Sequence, residues 1–164
     1  MLRYTAAARI GVGIAVSSIF IGCALAQDGK PGEEAHVVKS PSDLKWSDGP
    51  PNMAKGLKMA VLHGDPGKPA PFALMLKLPA GYKVPAHWHS QDENVLVVSG
   101  TFYAGMGDKL DATKATELKP GAYVFMPAKM HHYAFAKKPT VIELHGSGPF
   151  DVTYINPADD PQKK

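Results

Sequence analysis

Gly81-Tyr-Lys-Val-Pro-Ala-His87-Trp-His89-Ser-Gln-Asp-Glu93-Asn-Val-Leu-Val-Val-Ser-Gly100 sets two imidazoles one residue apart and a carboxylate four residues further on, and then closes an apolar run with glycine. On an extended strand, positions i and i+2 project from the same face about 6–7 Å apart, so His87 and His89 can converge on one ion. Ser90-Gln91-Asp92 can turn the chain and bring Glu93 alongside on the next strand. A fourth ligand must then come from elsewhere, and His132 opens an apolar segment just after Pro127-Ala128-Lys129.

Outward from this stretch, short apolar segments alternate with Gly and Pro. The segments Lys58–His63, Phe72–Leu78, Asn94–Ser99, Thr101–Ala104, Ala122–Met126, His132–Ala136, Thr140–His145 and Val152–Ile155 read as strands. The breaks between them carry Gly-Asp-Pro-Gly at 64–67, Leu-Pro-Ala-Gly at 78–81, Ser-Gly at 99–100, Lys-Pro-Gly at 119–121 and Gly-Ser-Gly-Pro at 146–149. No stretch sustains a helical apolar period over three turns. Short strands at this spacing with turn residues between them predict an all-β sandwich or barrel in one domain.

The stretch from Gly81 to Gly100 resembles the first motif of the cupin superfamily at every defined position and spacing. A second, looser match begins at Gly121, continues through Pro127 and places His132 at the family's ligand position. It departs at Lys129, where the family usually has Gly, and at Ala136, where it often has Asn. The resemblance implies a single cupin (double-stranded β-helix, or jelly-roll) barrel. It also implies a metal site of His87, His89, Glu93 and His132, and in some members the glutamate doubles as a catalytic base. Three imidazoles and one carboxylate with no thiolate suit one divalent transition ion: Fe, Mn, Ni, Cu, Co or Zn. Lys129 would have to adopt the left-handed turn that Gly adopts freely, at modest cost.

The first 26 residues differ in character from the rest. Arg3 and Arg9 precede an apolar run from Ile10 to Ile21, and Ala24-Leu25-Ala26 closes it with small residues, the three-part pattern of a secretory signal peptide cleaved after Ala26. The run is shorter than the ~20 apolar residues that span a bilayer, so no stable membrane span is expected; a lipoprotein anchored at Cys23 is the alternative. Removing 26 of the 164 residues leaves 138. The loss of both arginines leaves 16 lysines against 15 acids, which lowers the formal charge from +3 to +1. The mature chain then has no cysteine and no arginine. It can form no disulfide, and it lacks the guanidinium fork that reads phosphates and base edges, so nucleic acid is not an expected partner. The expected organisation is a signal peptide over 1–26, an extended arm over 27–56, the barrel over 57–156 and a charged tail over 157–164. The family resemblance adds that the arm can swap across a homodimer.

Other candidates are weaker. His131 should face away from its neighbour His132 and read as an exposed histidine or a hydrogen-bonder to the site. Glu143 and His145 share a face that lines the cavity only if Ile142 and Leu144 point outward. His36 and His63 read as solvated. Trp88, between the two ligand histidines, should pack between the sheets. Phe72, Met75, Tyr103, Met106, Tyr123, Phe125 and Met130 are candidate core or cavity residues. The expected function is an exported metal-dependent dioxygenase or related oxidoreductase acting on a small organic substrate. A non-catalytic periplasmic module binding metal or a small ligand is the alternative. An isomerase or lyase of sugars or small acids would call for polar and basic pocket residues, and a chain without arginine suits carboxylate or phosphate substrates poorly.

Overall fold

The computed structural model describes residues 36–163. The leader expected over residues 1–26, with Cys23, lies outside them.

Period-two burial on both sides of a shared core gives two antiparallel sheets. Eleven strands are present among the described residues: β1 (Ser47–Asp48), β2 (Lys58–His63), β3 (Pro71–Leu78), β4 (Lys83–Trp88), β5 (Glu93–Ser99), β6 (Phe102–Met106), β7 (Thr116–Leu118), β8 (Tyr123–Met126), β9 (His132–Ala136), β10 (Thr140–Ser147) and β11 (Thr153–Tyr154). One sheet has the order β1-β2-β3-β10-β5-β8 and the other β11-β4-β9-β6-β7. From β3 onward every consecutive pair except β6 and β7 therefore crosses between sheets, as in a jelly roll. The chain is nearly all β, with only single 3-10 turns at Pro41–Asp43, Pro157–Asp159 and Pro161–Lys163.

Phe72, Leu74 and Leu78 of β3, Val95 and Val97 of β5, and Ile142 and Leu144 of β10 face Val84, Phe102, Ala134 and Ala136 of the other sheet. The inner face is thus apolar along most of its length. Polar ligating side chains occur only at one end of the barrel, where β4 finishes and β5 and β9 begin.

The phase of β4 depends on an irregularity. Val84 pairs with Ala134 and His87 with His132, so three steps on β4 match two on β9. Strict alternation from the inward Val84 would have sent His87 outward. The extra residue, at Pro85-Ala86, restores it to the inner face.

Several expectations on apolar side chains are corrected here. Trp88 is half-buried on the outer side of β4, opposite Thr153, and does not pack between the sheets. Met106 (72 % exposed), Tyr123 (54 %) and Phe125 (48 %) lie outside the core altogether. Tyr123 and Phe125 pair with Leu96 and Asn94 across β8 and β5, on the solvent side of the sheet. Tyr103 stacks on Phe135 with an interplanar angle of 2°, and Lys137 caps that outer pair. Only Phe72 of that group is fully buried, against Phe150.

Within the arm, Ser47–Asp48 adds a short strand to β2 of the same chain, and Trp46 packs under the Lys77 ammonium at 3.8 Å. Lys129 takes the left-handed turn with φ 65°, the only non-glycine residue to do so among the described residues. Its amide bonds the carbonyl of His89, so this turn braces the end of β4.

Candidate metal centre

His87 lies on β4, His89 one residue beyond its end, Glu93 at the start of β5 and His132 at the start of β9. All four are buried: 3 %, 4 %, 7 % and 3 % exposed. The three imidazoles form one cluster whose ligand atoms all lie within 4.8 Å of one another. Their ring centroids are 4.2–5.1 Å apart.

Each ring is oriented by its own backbone partner. Nδ1 of His87 donates to the carbonyl of Pro85 at 2.7 Å, Nδ1 of His132 to Met130 at 2.9 Å, and Nδ1 of His89 to Asp151. A carbonyl can only accept, so all three rings carry their proton on Nδ1 and present the Nε2 lone pair to the centre. The Nε2 atoms of His89 and His132 are sealed from solvent and lack a good hydrogen-bond partner. Their nearest polar neighbour is Glu93 Oε2, at 3.3 Å and 3.2 Å. Buried, unsatisfied nitrogen lone pairs converging beside a carboxylate are costly in an apolar core unless something electrophilic is bound there. The donor set therefore fits a divalent transition ion, and the carbonyl partners are the second layer that keeps such ligands aimed.

The electrostatics differ from ring to ring. Burial first, and then the neighbouring His132 and His89, push the His87 imidazole down to about 3, so it stays neutral and able to ligate. Burial alone would raise Glu93, but the close approach and charge of His132 and His89 outweigh it and hold the carboxyl well below the usual range. For His89, burial is likewise outweighed by Glu93, and its basicity is raised. Asp151 contributes twice: its backbone aims His89, while its carboxylate takes Ser90 N at 2.8 Å and Ser90 Oγ at 2.6 Å, fixing the turn between the ligands. Phe150 stacks on the His89 ring at 4.3 Å.

The four residues line one cavity of about 240 Å³. Leu74, Leu76, Met126, Ile142, Phe150 and Val152 form much of its wall, and the arm residues Pro50, Asn52 and Met53 line it as well. Among the described residues, no lysine side chain lines it. Of the remaining candidates, His131 is exposed and bonds Asp108 at 2.6 Å. Glu143 and His145 pair with each other at 3.0 Å on the outer face, because Ile142 and Leu144 point inward. His36 and His63 are exposed. Met75, Tyr103, Met106, Tyr123, Phe125 and Met130 do not reach the cavity. Asn52, Asp151 and Tyr154 carry no sequence signal: Asn52 sits in a Pro/Gly-rich arm, Asp151 acts through its backbone carbonyl and its carboxylate from 61 and 62 residues away, and Tyr154 acts through a single hydroxyl.

Residues 34–151 match the family model described as the ChrR cupin-like domain. Among solved structures, the chain is similar to the polyketide cyclase RemF of Streptomyces resistomycificus, with 17 % identity, a TM-score of 0.64 and coverage of 78 % of this chain and 91 % of that one. It is similar to an acetylacetone dioxygenase from Acinetobacter johnsonii, with 16 % identity, a TM-score of 0.59 and coverage of 80 % and 84 %. An RmlC-like cupin from Shewanella frigidimarina matches at 18 % identity and a TM-score of 0.54, over 69 % and 91 %. At these identities the likeness is one of fold. No curated protein matches the sequence.

Proposed function

Because the chain belongs to the ChrR cupin-like family, we propose that it is a metal-dependent cupin oxidoreductase, of the dioxygenase type, acting on a small organic substrate. One observation carries this reading: three pre-aimed imidazoles, with a carboxylate beside them, line a cavity that is otherwise largely apolar. A purely structural metal would have no use for that space, and a site that turns over a substrate needs it. The solved cupins of similar fold include an acetylacetone dioxygenase and a polyketide cyclase, which supports chemistry on small oxygenated organic molecules.

His87, His89, His132 and Glu93 would hold the ion, which when bound supplies Lewis acidity and one-electron chemistry towards an oxygen-bearing substrate and dioxygen. The residues of the chain do the rest. The backbone carbonyls of Pro85, Met130 and Asp151 hold the imidazole protons on Nδ1 and keep the rings from turning. The apolar wall excludes bulk water and seats the substrate's carbon body. Glu93, the carboxylate lining the cavity beside His89 and His132, is the group that takes a proton from the substrate when it releases the ion. Export, with cleavage after Ala26, is part of the same proposal and rests on the leader sequence.

The test is oxygen uptake by protein loaded separately with Fe(II), Mn(II), Co(II), Ni(II) or Cu(II), against a panel of phenols, flavonols and β-diketones. At least one pairing should consume oxygen in proportion to substrate, with activity lost in Glu93→Gln. Stoichiometric metal and substrate binding with no uptake across the panel would instead make this a non-catalytic binding module.

A further inference from the structure

Pro50–Ala54 is the crest of a short loop whose feet are held together. Gly49 N donates to the carbonyl of Leu57 at 2.9 Å, and β1 pairs with β2 beside that bond. Leu57 itself is a core residue, and Gly56 takes φ 102°, a backbone region that glycine enters without a steric penalty. The loop is thus of the Ω type, compact and closed at its base. Met53 N donates to the Pro50 carbonyl at 2.9 Å, which folds the crest on itself and adds no tie to the barrel.

This crest lies on the rim of the cavity. The cavity lining is buried except at the crest, at Pro66–Gly67, at Phe150 and Val152, and at the paired Met59 and Leu76 of β2 and β3. All four residues of the metal centre are buried, so a molecule from solvent reaches them only across this rim. Most of the rim is sewn in place by main chain. Phe150 N donates to the Pro66 carbonyl at 2.7 Å and Gly148 N to that of Ala70 at 3.0 Å, while Met59 and Leu76 are held in their sheet. The crest is different. Among the described residues, its hydrogen bonds to the rest of the barrel come only from two tyrosine hydroxyls: Tyr154 donates to the carbonyl of Asn52 at 2.8 Å, and Tyr82 to that of Ala54 at 2.8 Å. Tyr154 stands opposite His87 across β11 and β4, so one of these ties is mounted beside a metal ligand. We propose that Pro50–Ala54 is the gate of the cavity, swinging between Gly49 and Gly56 to admit a ring-sized molecule to the metal centre, with the Tyr82 and Tyr154 hydroxyls as its latch. A hydroxyl–carbonyl bond is weak enough for such a latch to open reversibly. Losing one raises the open population about fivefold, and losing both about 25-fold.

This inference rests on the cavity being the substrate site, and the experiment separates the two. The probes are 4-nitrocatechol, a coloured ring that binds metal through oxygen, and azide, a linear three-atom anion. Their binding to Co(II)-loaded protein, kept free of oxygen, is followed by stopped-flow absorbance. Tyr82→Phe and Tyr154→Phe each delete one hydroxyl and keep the ring that packs. Either variant should speed nitrocatechol association and dissociation about fivefold, and the double variant about 25-fold, because both directions pass through the open state. Metal content should stay at one equivalent, the nitrocatechol Kd should stay within about twofold, and azide, which passes the rim without the gate, should keep its rates within about twofold. Nitrocatechol rates that are unchanged in the double variant would overturn the gate. An equal acceleration of azide would also overturn it, by placing the effect at the metal centre rather than at the rim. Azide binding with no nitrocatechol binding in any of the proteins would overturn the substrate-site reading itself, and this inference with it.

Discussion

Replacing His87 and His89 together with alanine should reduce bound metal from about one equivalent to less than about a tenth, because the remaining imidazole and carboxylate cannot hold a divalent ion against competing water. The two rings sit at the end of β4 with their Nδ1 protons committed to Pro85 and Asp151, so their only free function is the Nε2 lone pair. Thermal unfolding gives a second readout. Metal that binds only the native state, at 1,000 times its Kd, stabilises that state by about 4 kcal/mol. Wild-type protein should therefore gain several degrees in Tm on metal addition, and the double variant should gain nothing. His131→Ala combined with His145→Ala is the matched control. Those rings are exposed or half-exposed and engage Asp108 and Glu143, so both metal content and the metal-induced shift should be retained. A double variant at His87 and His89 that still carries one equivalent would place the ion elsewhere.

Gly100→Ala should be strongly destabilising although it lies outside the site, lowering stability by about 3–4 kcal/mol. Gly100 closes the turn between β5 and β6 with φ 79°, where an L side chain pays about 1–2 kcal/mol. A Cβ there would lie 2.4 Å from the carbonyl oxygen of Pro139 and 2.8 Å from Thr140 Cα, both backbone atoms of the facing turn. No rotamer change relieves such a contact. The displaced Thr140 hydroxyl also accepts from Thr101 N and reaches the Thr101 and Lys138 carbonyls, so a shift breaks the tie between the two turns. Gly81→Ala separates the two causes: its φ is also 79°, but nothing lies within 4 Å of the added carbon. It should cost only about 1–2 kcal/mol. Denaturant unfolding of both variants tests the difference, and equal losses would show that backbone strain alone, without the contact with Pro139, explains Gly100.

These two glycines, with His87, His89, Glu93 and His132, are where sequence and structure meet most closely. Each is fixed by local geometry, a left-handed turn or a strand-end ligand, and local geometry repeats at constant spacing. The strands around them were legible too, since alternation and Gly/Pro breaks are local signals. Phase across a sheet was less so. Nothing in Val84-Pro-Ala-His87 announces the extra residue that turns His87 inward, because the irregularity exists only relative to β9. Outward Tyr123, Phe125 and Leu96 look the same in sequence as inward Val95 and Val97, and only pairing with β10 shows which row faces the core. Asn52 was illegible for a different reason. Its place in the cavity depends on hydroxyls 30 and 102 residues away, at Tyr82 through Ala54 and at Tyr154 directly, and no short-range pattern encodes such a tie.

The central claim is that one metal ion binds at the Nε2 atoms of three histidines and the carboxylate of Glu93. Anomalous diffraction at the metal edge from crystals of the loaded protein tests it most directly. The account predicts a single dominant peak within about 2.0–2.3 Å of Nε2 of His87, His89 and His132 and of one Glu93 oxygen, with a remaining position open to the cavity. A peak at the exposed His131 or His145 instead, or an ion held through Nδ1 with the carbonyl bonds to Pro85, Met130 and Asp151 broken, would contradict it.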